Sequence, residues 1–197
     1  MKKRTYALCM IIAIVSFLGF LVENIWCAFT KGYVDNRSMF FPFLIGYGIA
    51  IILIYLILGT PEELRFLKHR VHIESKMIRI VLYLIGVMLC VSIGEILLGK
   101  LVEHVCGFQW WNYSKLPLHI TQYTSIPTSF AFGVLITTFM NFFFEPLIVF
   151  FEGWNDTVLK VTATILMVIM VGDFLYAAYK MIKTQGPLIR WRLFLKK

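Results

Sequence analysis

An all-α, polytopic transmembrane helical bundle is the fold class this sequence predicts, on three observations. Hydrophobic residues make up 59% of the 197 and charged residues only 15%, whereas soluble domains sit near ~45–50% and ~25%. Five apolar runs approach or exceed the roughly 20 residues that carry a helix across a ~30 Å hydrocarbon core. None alternates with period two, as barrel strands do. Amides in lipid must bond within their own segment, so the runs read as helices.

The runs fall at residues 6–29, 39–58, 78–100, 129–151 and 158–179, within one transmembrane domain over residues 1–183. Met1-Lys2-Lys3-Arg4 ahead of the first run imitates a secretory leader. That run, however, outlasts the roughly 7–15 residues of a leader's apolar segment, and no small-residue cleavage site follows. It reads as an uncleaved span with a cytoplasmic N-terminus in the plasma membrane. Link 59–76, with Arg65, Lys68, Arg70 and Lys76, then belongs to the cytoplasm by the positive-inside rule, and links 30–38 and 110–125 to the outside. Residues 184–197 form a basic tail whose last ten, LIRWRLFLKK, read as interfacial. Its cations ask to be inside, while five spans from an inside start end outside.

The net charge of +8 therefore reflects loops and tails at the membrane surface, with lipids as the expected contact. No Lys/Arg-rich folded unit is available to carry nucleic acid. Cys9, Cys27, Cys90 and Cys106 form no CxxC pair and have no His at zinc-finger spacing, so neither a metal nor a cofactor is expected. HExxH and GxSxG are missing, and no catalytic residue is assigned.

A loose internal repeat runs through the chain. Gly19 precedes Glu23, and Asn36-Arg37-Ser38 is followed by Pro42 and Gly48. Later, Gly94 precedes Glu95, and Asn112-Tyr113-Ser114 is followed by Pro117, Pro127 and Gly133. Each unit is a helix, a polar link and a returning helix, a construction that places sites between halves.

Glu23 and Glu95 are the leading candidates for a polar site. Each lies about 17 residues, some 25 Å of helix rise, into its span. A carboxylate in hydrocarbon is expensive and turns to a bundle interior or wet cavity. Between them they would form a cation, proton or polar-ligand site, or else fix helix packing. Arg37 suits a carboxylate, either Glu23 or a ligand's. Trp111, Asn112, Tyr113, Ser114 and His119 concentrate in one link and read as a folded cap over the pocket. Asp173 shares a helix face with Tyr176 and Lys180. A lipid-directed enzyme with Glu95 and His119 as acid and base would need the two within one water-bridged bond.

These residues resemble the CmpB-like ABC-transporter type IV membrane proteins. Trp111, Tyr113, Ser114, Pro117, Ser129 and Gly133 fall at the positions of that family's second-half signature. Gly19-x-x-x-Glu23, Arg37-Ser38, Pro42-Phe43 and Tyr47-Gly48 resemble its first-half pattern, and Asp173 an acidic position in its last span. Departures are Asn112 for the family's acid, His119 for Asn, Gln122 for Gly and Phe132 for Trp. The resemblance implies a transporter or permease-like membrane component. With no ATPase in this chain, a separate ATPase subunit would dock, and link 59–76 is the candidate surface; a homo-oligomer is the other expected assembly. The alternative from another class is a non-transporting membrane factor that stabilises a partner complex or senses lipid or envelope state.

Overall fold

The computed structural model describes residues 3–195. Among these are six helices: α1 (Lys3–Lys31), α2 (Ile45–Leu58), α3 (Lys76–Cys106), α4 (Ile126–Phe142), α5 (Phe144–Glu152) and α6 (Asp156–Thr184). Six short strands form three antiparallel two-stranded pairs: β1 (Tyr33–Asp35) with β6 (Arg192–Phe194), β2 (Arg65–Phe66) with β3 (His69–Arg70), and β4 (His119–Thr121) with β5 (Thr124–Ser125). The helices make the fold, and the strands tie off its links.

Three helices, α1, α3 and α6, are long and apolar enough to cross a membrane, and a fourth crossing results if α4 and α5 count as one. Those two are bent by 44° where they meet. Run 129–151 is therefore not one straight rod. The break falls at Phe143, so Pro146 sits in the first turn of α5, where its missing N–H leaves no helix bond unmade. Run 39–58 yields only the 14 residues of α2. Residues 39–44 ahead of it are irregular, as Pro42 and the side-chain contacts described below require. Elsewhere capping chemistry sets the ends. Ser75 accepts from Ile78 N to open α3, and Gly107, left-handed at φ 75°, closes it. Ser125 and Thr128 form a capping box at the start of α4.

The chain divides into two compact units, with boundaries inside α2 and α5: unit 1 is Met1–Ile49 with Leu147–Lys197, and unit 2 is Ala50–Pro146. In unit 1, α1 and α6 run in the same direction. Lys3 Nζ meets Asp156 Oδ1 at 2.6 Å where both helices begin. Ala13, Ile45 and Met170 form a core between them, with Ile12, Phe43 and Leu166 packed around it. At the far end β1 pairs with β6, Tyr33 opposite Phe194 and Asp35 opposite Arg192. The basic tail is thus docked on the link that follows α1, at the end opposite Lys3; Lys196 and Lys197 lie outside the described residues. Link and tail share one side of the unit.

In unit 2, α3 and α4 pack antiparallel. Gly133 lets them approach, since a methyl group there would stand 2.8 Å from Met88 Cγ and 3.0 Å from Leu84 Cδ1. The β2–β3 hairpin caps one end, where Tyr83 donates to the Gly59 carbonyl at 3.1 Å and Arg65 to that of Tyr55 at 2.9 Å.

Candidate functional site

Each unit contains a helix glycine, a glutamate one turn further along, and a tyrosine that covers the first and bonds the second. In unit 1 these are Gly19, Glu23 and Tyr47. A methyl group on Gly19 would lie 2.5 Å from Tyr47 Cγ and 2.9 Å from its Cβ, so only glycine admits the ring. The Tyr47 hydroxyl donates to Glu23 Oε1 at 2.5 Å. Gly48, next in the chain, comes so near α1 that a methyl group on it would stand 2.7 Å from Ser16 Oγ.

The other Glu23 oxygen receives Arg37 Nη2 at 2.9 Å. Arg37 also donates Nη1 to Cys27 Sγ at 3.3 Å and its backbone N to Asp35 Oδ1 at 3.0 Å. Asp35 is bonded in turn by Arg192 Nη2 at 3.0 Å, and its own N donates to Asn24 Oδ1 at 2.8 Å. Arg37 and Ser38 hold left-handed backbone, φ 48° and 65°, which disfavours L-residues by roughly 1–2 kcal/mol each. The ion pairs and the Asp35 turn hold them there. Burial acts to lower the Arg37 pKa, but the facing negative groups, Glu23 foremost, outweigh it and leave the pKa raised.

In unit 2 the corresponding residues are Gly99, Glu103 and Tyr123. A methyl group on Gly99 would lie 2.7 Å from Tyr123 Cγ and 3.1 Å from its Cβ. The Tyr123 hydroxyl donates to Glu103 Oε2. Gln122 Nε2 donates to the same oxygen at 3.3 Å and Gln109 Nε2 to Oε1 at 3.0 Å. All three donors are neutral, and among the described residues no cation stands within ion-pair distance of Glu103. Lys100 and His104 flank it on α3 without pairing with it. The bond to Glu103, reinforced by burial, raises the Tyr123 pKa above its ordinary value.

Unit 2 adds a second carboxylate. Glu95 lies four residues before Gly99, and Thr124, the residue after Tyr123, donates Oγ1 to Glu95 Oε2 at 2.6 Å. Thr124 Oγ1 also meets Ser129 Oγ at 3.1 Å, and Ser129 Oγ meets Ser92 Oγ at 2.9 Å. Adjacent residues Tyr123 and Thr124 thus serve two carboxylates on α3, with Gly99 midway between them. At the equivalent places unit 1 has Val15 and Gly48.

The cap over this region is folded. Trp111 Nε1 donates to the Tyr123 carbonyl at 2.8 Å, and Tyr113 N to the Gln122 carbonyl at 2.8 Å. Asn112, Ser114 and His119 are exposed and bond locally. Asn112 Oδ1 accepts from Ser114 N at 2.9 Å, its amide donates to Gln109 Oε1 at 2.7 Å, and His119 Nδ1 lies 3.1 Å from the Leu116 carbonyl. An aspartate at position 112 would form the same turn with Ser114 but could not donate to Gln109 as Asn112 does. Asp173 is buried in unit 1, where its two oxygens accept from the backbone N of Phe40 and Phe41 at 2.8–3.0 Å. That carboxylate anchors the irregular segment before α2. Glu23 and Arg37 are brought together as their types suggest, in unit 1. Glu95 and the Trp111–Tyr113 cap belong to unit 2.

Sequence reasoning missed Glu103 and overlooked Tyr123 as its partner. The signal was present, because Gly99-x-x-x-Glu103 repeats the spacing of Gly19-x-x-x-Glu23. The more conspicuous Gly94-Glu95 was matched instead.

Long apolar helices joined by polar links tied with short strands define a helical membrane protein. The family described as Putative ABC-transporter type IV (ABC_trans_CmpB) matches residues 10–178, and the chain belongs to it. No curated protein and no solved structure matches the chain.

Proposed function

We propose that this chain is the multi-pass, permease-like component of a transport system, with its polar site in unit 2 at Glu103 and Glu95 beneath the 109–125 cap. The observation that carries the reading is the company Glu103 keeps. In unit 1 the charge of Glu23 is matched by Arg37. Glu103 receives only neutral donors, so its charge is met by dipoles alone, and a proton or small cation would complete it. The hydroxyls of Thr124, Ser129 and Ser92 extend polar contact from Glu95 along the α3–α4 seam.

On this reading the chain crosses five times from a cytoplasmic N-terminus. The 14-residue α2, about 21 Å long, makes a short crossing aided by the segment before it. The two clasps are halves of a repeat, aligned on Gly19 with Gly99. A separate ATPase docks on link 59–76, whose hairpin exposes Phe66, Leu67 and Val71.

The test is proton or sodium flux into proteoliposomes for Glu103→Gln and Glu95→Gln, each checked for folding by its melting curve. The expected result is at least a ten-fold loss of flux with folding intact. A folded Glu103→Gln protein with undiminished flux sinks the proposal. That outcome favours a non-transporting membrane factor, a reading supported by the hydrogen bonds each carboxylate already has within its own unit.

A further inference from the structure

The far end of unit 1 carries two kinds of cation. Arg37 and Arg192 are matched, the first by Glu23 and Asp35 and the second by Asp35. Arg190, Lys180 and Lys183 have no carboxylate within ion-pair distance among the described residues. Two of these unmatched charges converge on one ring. The Arg190 guanidinium lies 5.6 Å from the Tyr176 ring centroid and Lys180 Nζ lies 5.7 Å from it. Arg190 is also stacked 4.2 Å over Phe40. Its backbone is held by Asn36, which accepts from Arg190 N at 3.0 Å and donates to the Leu188 carbonyl at 3.0 Å.

Phe40, Phe41, Asp173, Tyr176 and Arg190 line an open cleft of about 270 Å³. Its one acid, Asp173, is turned to the amides of Phe40 and Phe41 and forms no ion pair with Arg190, Lys180 or Lys183. The ring cannot neutralise two like charges, since a cation–π contact supplies about 0.5–1 kcal/mol at an exposed site. Around the cleft the tail exposes Ile189, Trp191, Leu193, Phe194 and Leu195. Apolar groups beside unmatched cations at the end of an apolar helix fit an amphiphile with an anionic head.

We infer that this cleft binds the headgroup of an anionic phospholipid, with Arg190 and Lys180 gripping its phosphate across Tyr176 and Lys183 adding charge at the rim. The aromatic and aliphatic residues of the tail lie along its acyl chains. The docked tail is then a lipid-binding element as well as a closure for unit 1.

The experiment measures binding of phosphatidylglycerol and phosphatidylcholine to the full chain in neutral detergent, by native mass spectrometry. Lys180→Gln and the pair Lys180→Gln with Arg190→Gln are compared with Lys160→Gln, an equal charge change at the other end of α6. Phosphatidylglycerol is expected to bind in preference, and to weaken about five-fold for each cation removed and about twenty-five-fold for the pair. Lys160→Gln should bind as the parent does. Lys180 takes no part in holding the tail, so its variant reads binding even if the pair unfolds. Equal binding of the two lipids, an unaltered preference in Lys180→Gln, or displacement of the lipid by millimolar inorganic phosphate would overturn the inference.

Discussion

In unit 1 the glutamate of the clasp, Glu23, faces a guanidinium; in unit 2 its counterpart, Glu103, faces a phenol and two carboxamides. The scaffold around the two is alike, down to the glycine under the tyrosine ring. What differs is charge. Around Glu23 the charges are matched by Arg37 and Arg192 across Asp35, and the link between α1 and α2 is fixed as a result. Around Glu103 the geometry is as closely held, but the negative charge is not cancelled by the protein. The first arrangement suits holding a link in place; the second, under the proposed function, would exchange a proton or cation.

The widest separation between the units should come from removing the cation. Breaking a largely buried ion pair while leaving its partner charged costs about 3–5 kcal/mol. Arg37→Gln strands Glu23, while Asp35 keeps Arg192, and its loss in stability is expected at that scale. Adding Glu23→Gln to it should restore part of the loss, giving a positive coupling in a double-mutant cycle. Glu103→Gln has no cation to strand and should leave the melting temperature close to the parent's. If Glu103→Gln destabilises as much as Arg37→Gln, the distinction between the units fails.

A smaller effect should be common to both units. Gly19→Ala and Gly99→Ala each place a methyl group against the root of a tyrosine ring, which cannot swing aside. Overpacking typically costs about 1–3 kcal/mol, against roughly 0.5–1 kcal/mol gained by alanine in a helix interior. The net expectation is a loss of about 1–2 kcal/mol in each. Gly94→Ala and Gly172→Ala serve as controls, because nothing lies within 4 Å of a methyl group at either; they should be neutral or stabilising. Equal behaviour of Gly94→Ala and Gly99→Ala in chemical denaturation would remove the clasp from the account.

The helices were legible in the sequence because their cause is local and additive. Apolar length fixed α1, α3 and α6 to within a few residues at most ends. The cap was legible as a concentration of aromatic and amide side chains. Pairing across long separations was not. Arg37 was matched to Glu23 by type, but Glu103 escaped because a carboxylate near a helix end reads as solvated. Its partners Gln109, Gln122 and Tyr123 are neutral residues that carry no charge signal. The docking of β6 on β1 escaped for a related reason. A three-residue strand has too little periodicity to detect, and a basic tail with Trp191 reads equally well as a surface segment. The end of α2 was misplaced because hydropathy counts Met39 to Leu44 as helix-ready. It does not register the demand Asp173 makes on the amides of Phe40 and Phe41.

The finest discrimination between the clasps is their response to alkali. Tyr123 has its pKa raised by the bond it donates to Glu103. A group that binds its proton more tightly when folded stabilises the fold at pH below its unfolded value, and that contribution is lost as pH rises through the folded value. The window therefore opens near pH 10, the ordinary phenol value, and closes above it. The melting-temperature difference between the parent and Tyr123→Phe should be constant from pH 7 to about 9 and shrink beyond 10, because ionised Tyr123 would repel the carboxylate it served. The guanidinium of Arg37 stays charged throughout this range, its pKa being raised as well. The Arg37→Gln difference should thus hold level where the Tyr123→Phe difference falls. Parallel curves for the two variants would mean that Tyr123 serves unit 2 by packing on Gly99 alone, and that Glu103 does not depend on its hydroxyl.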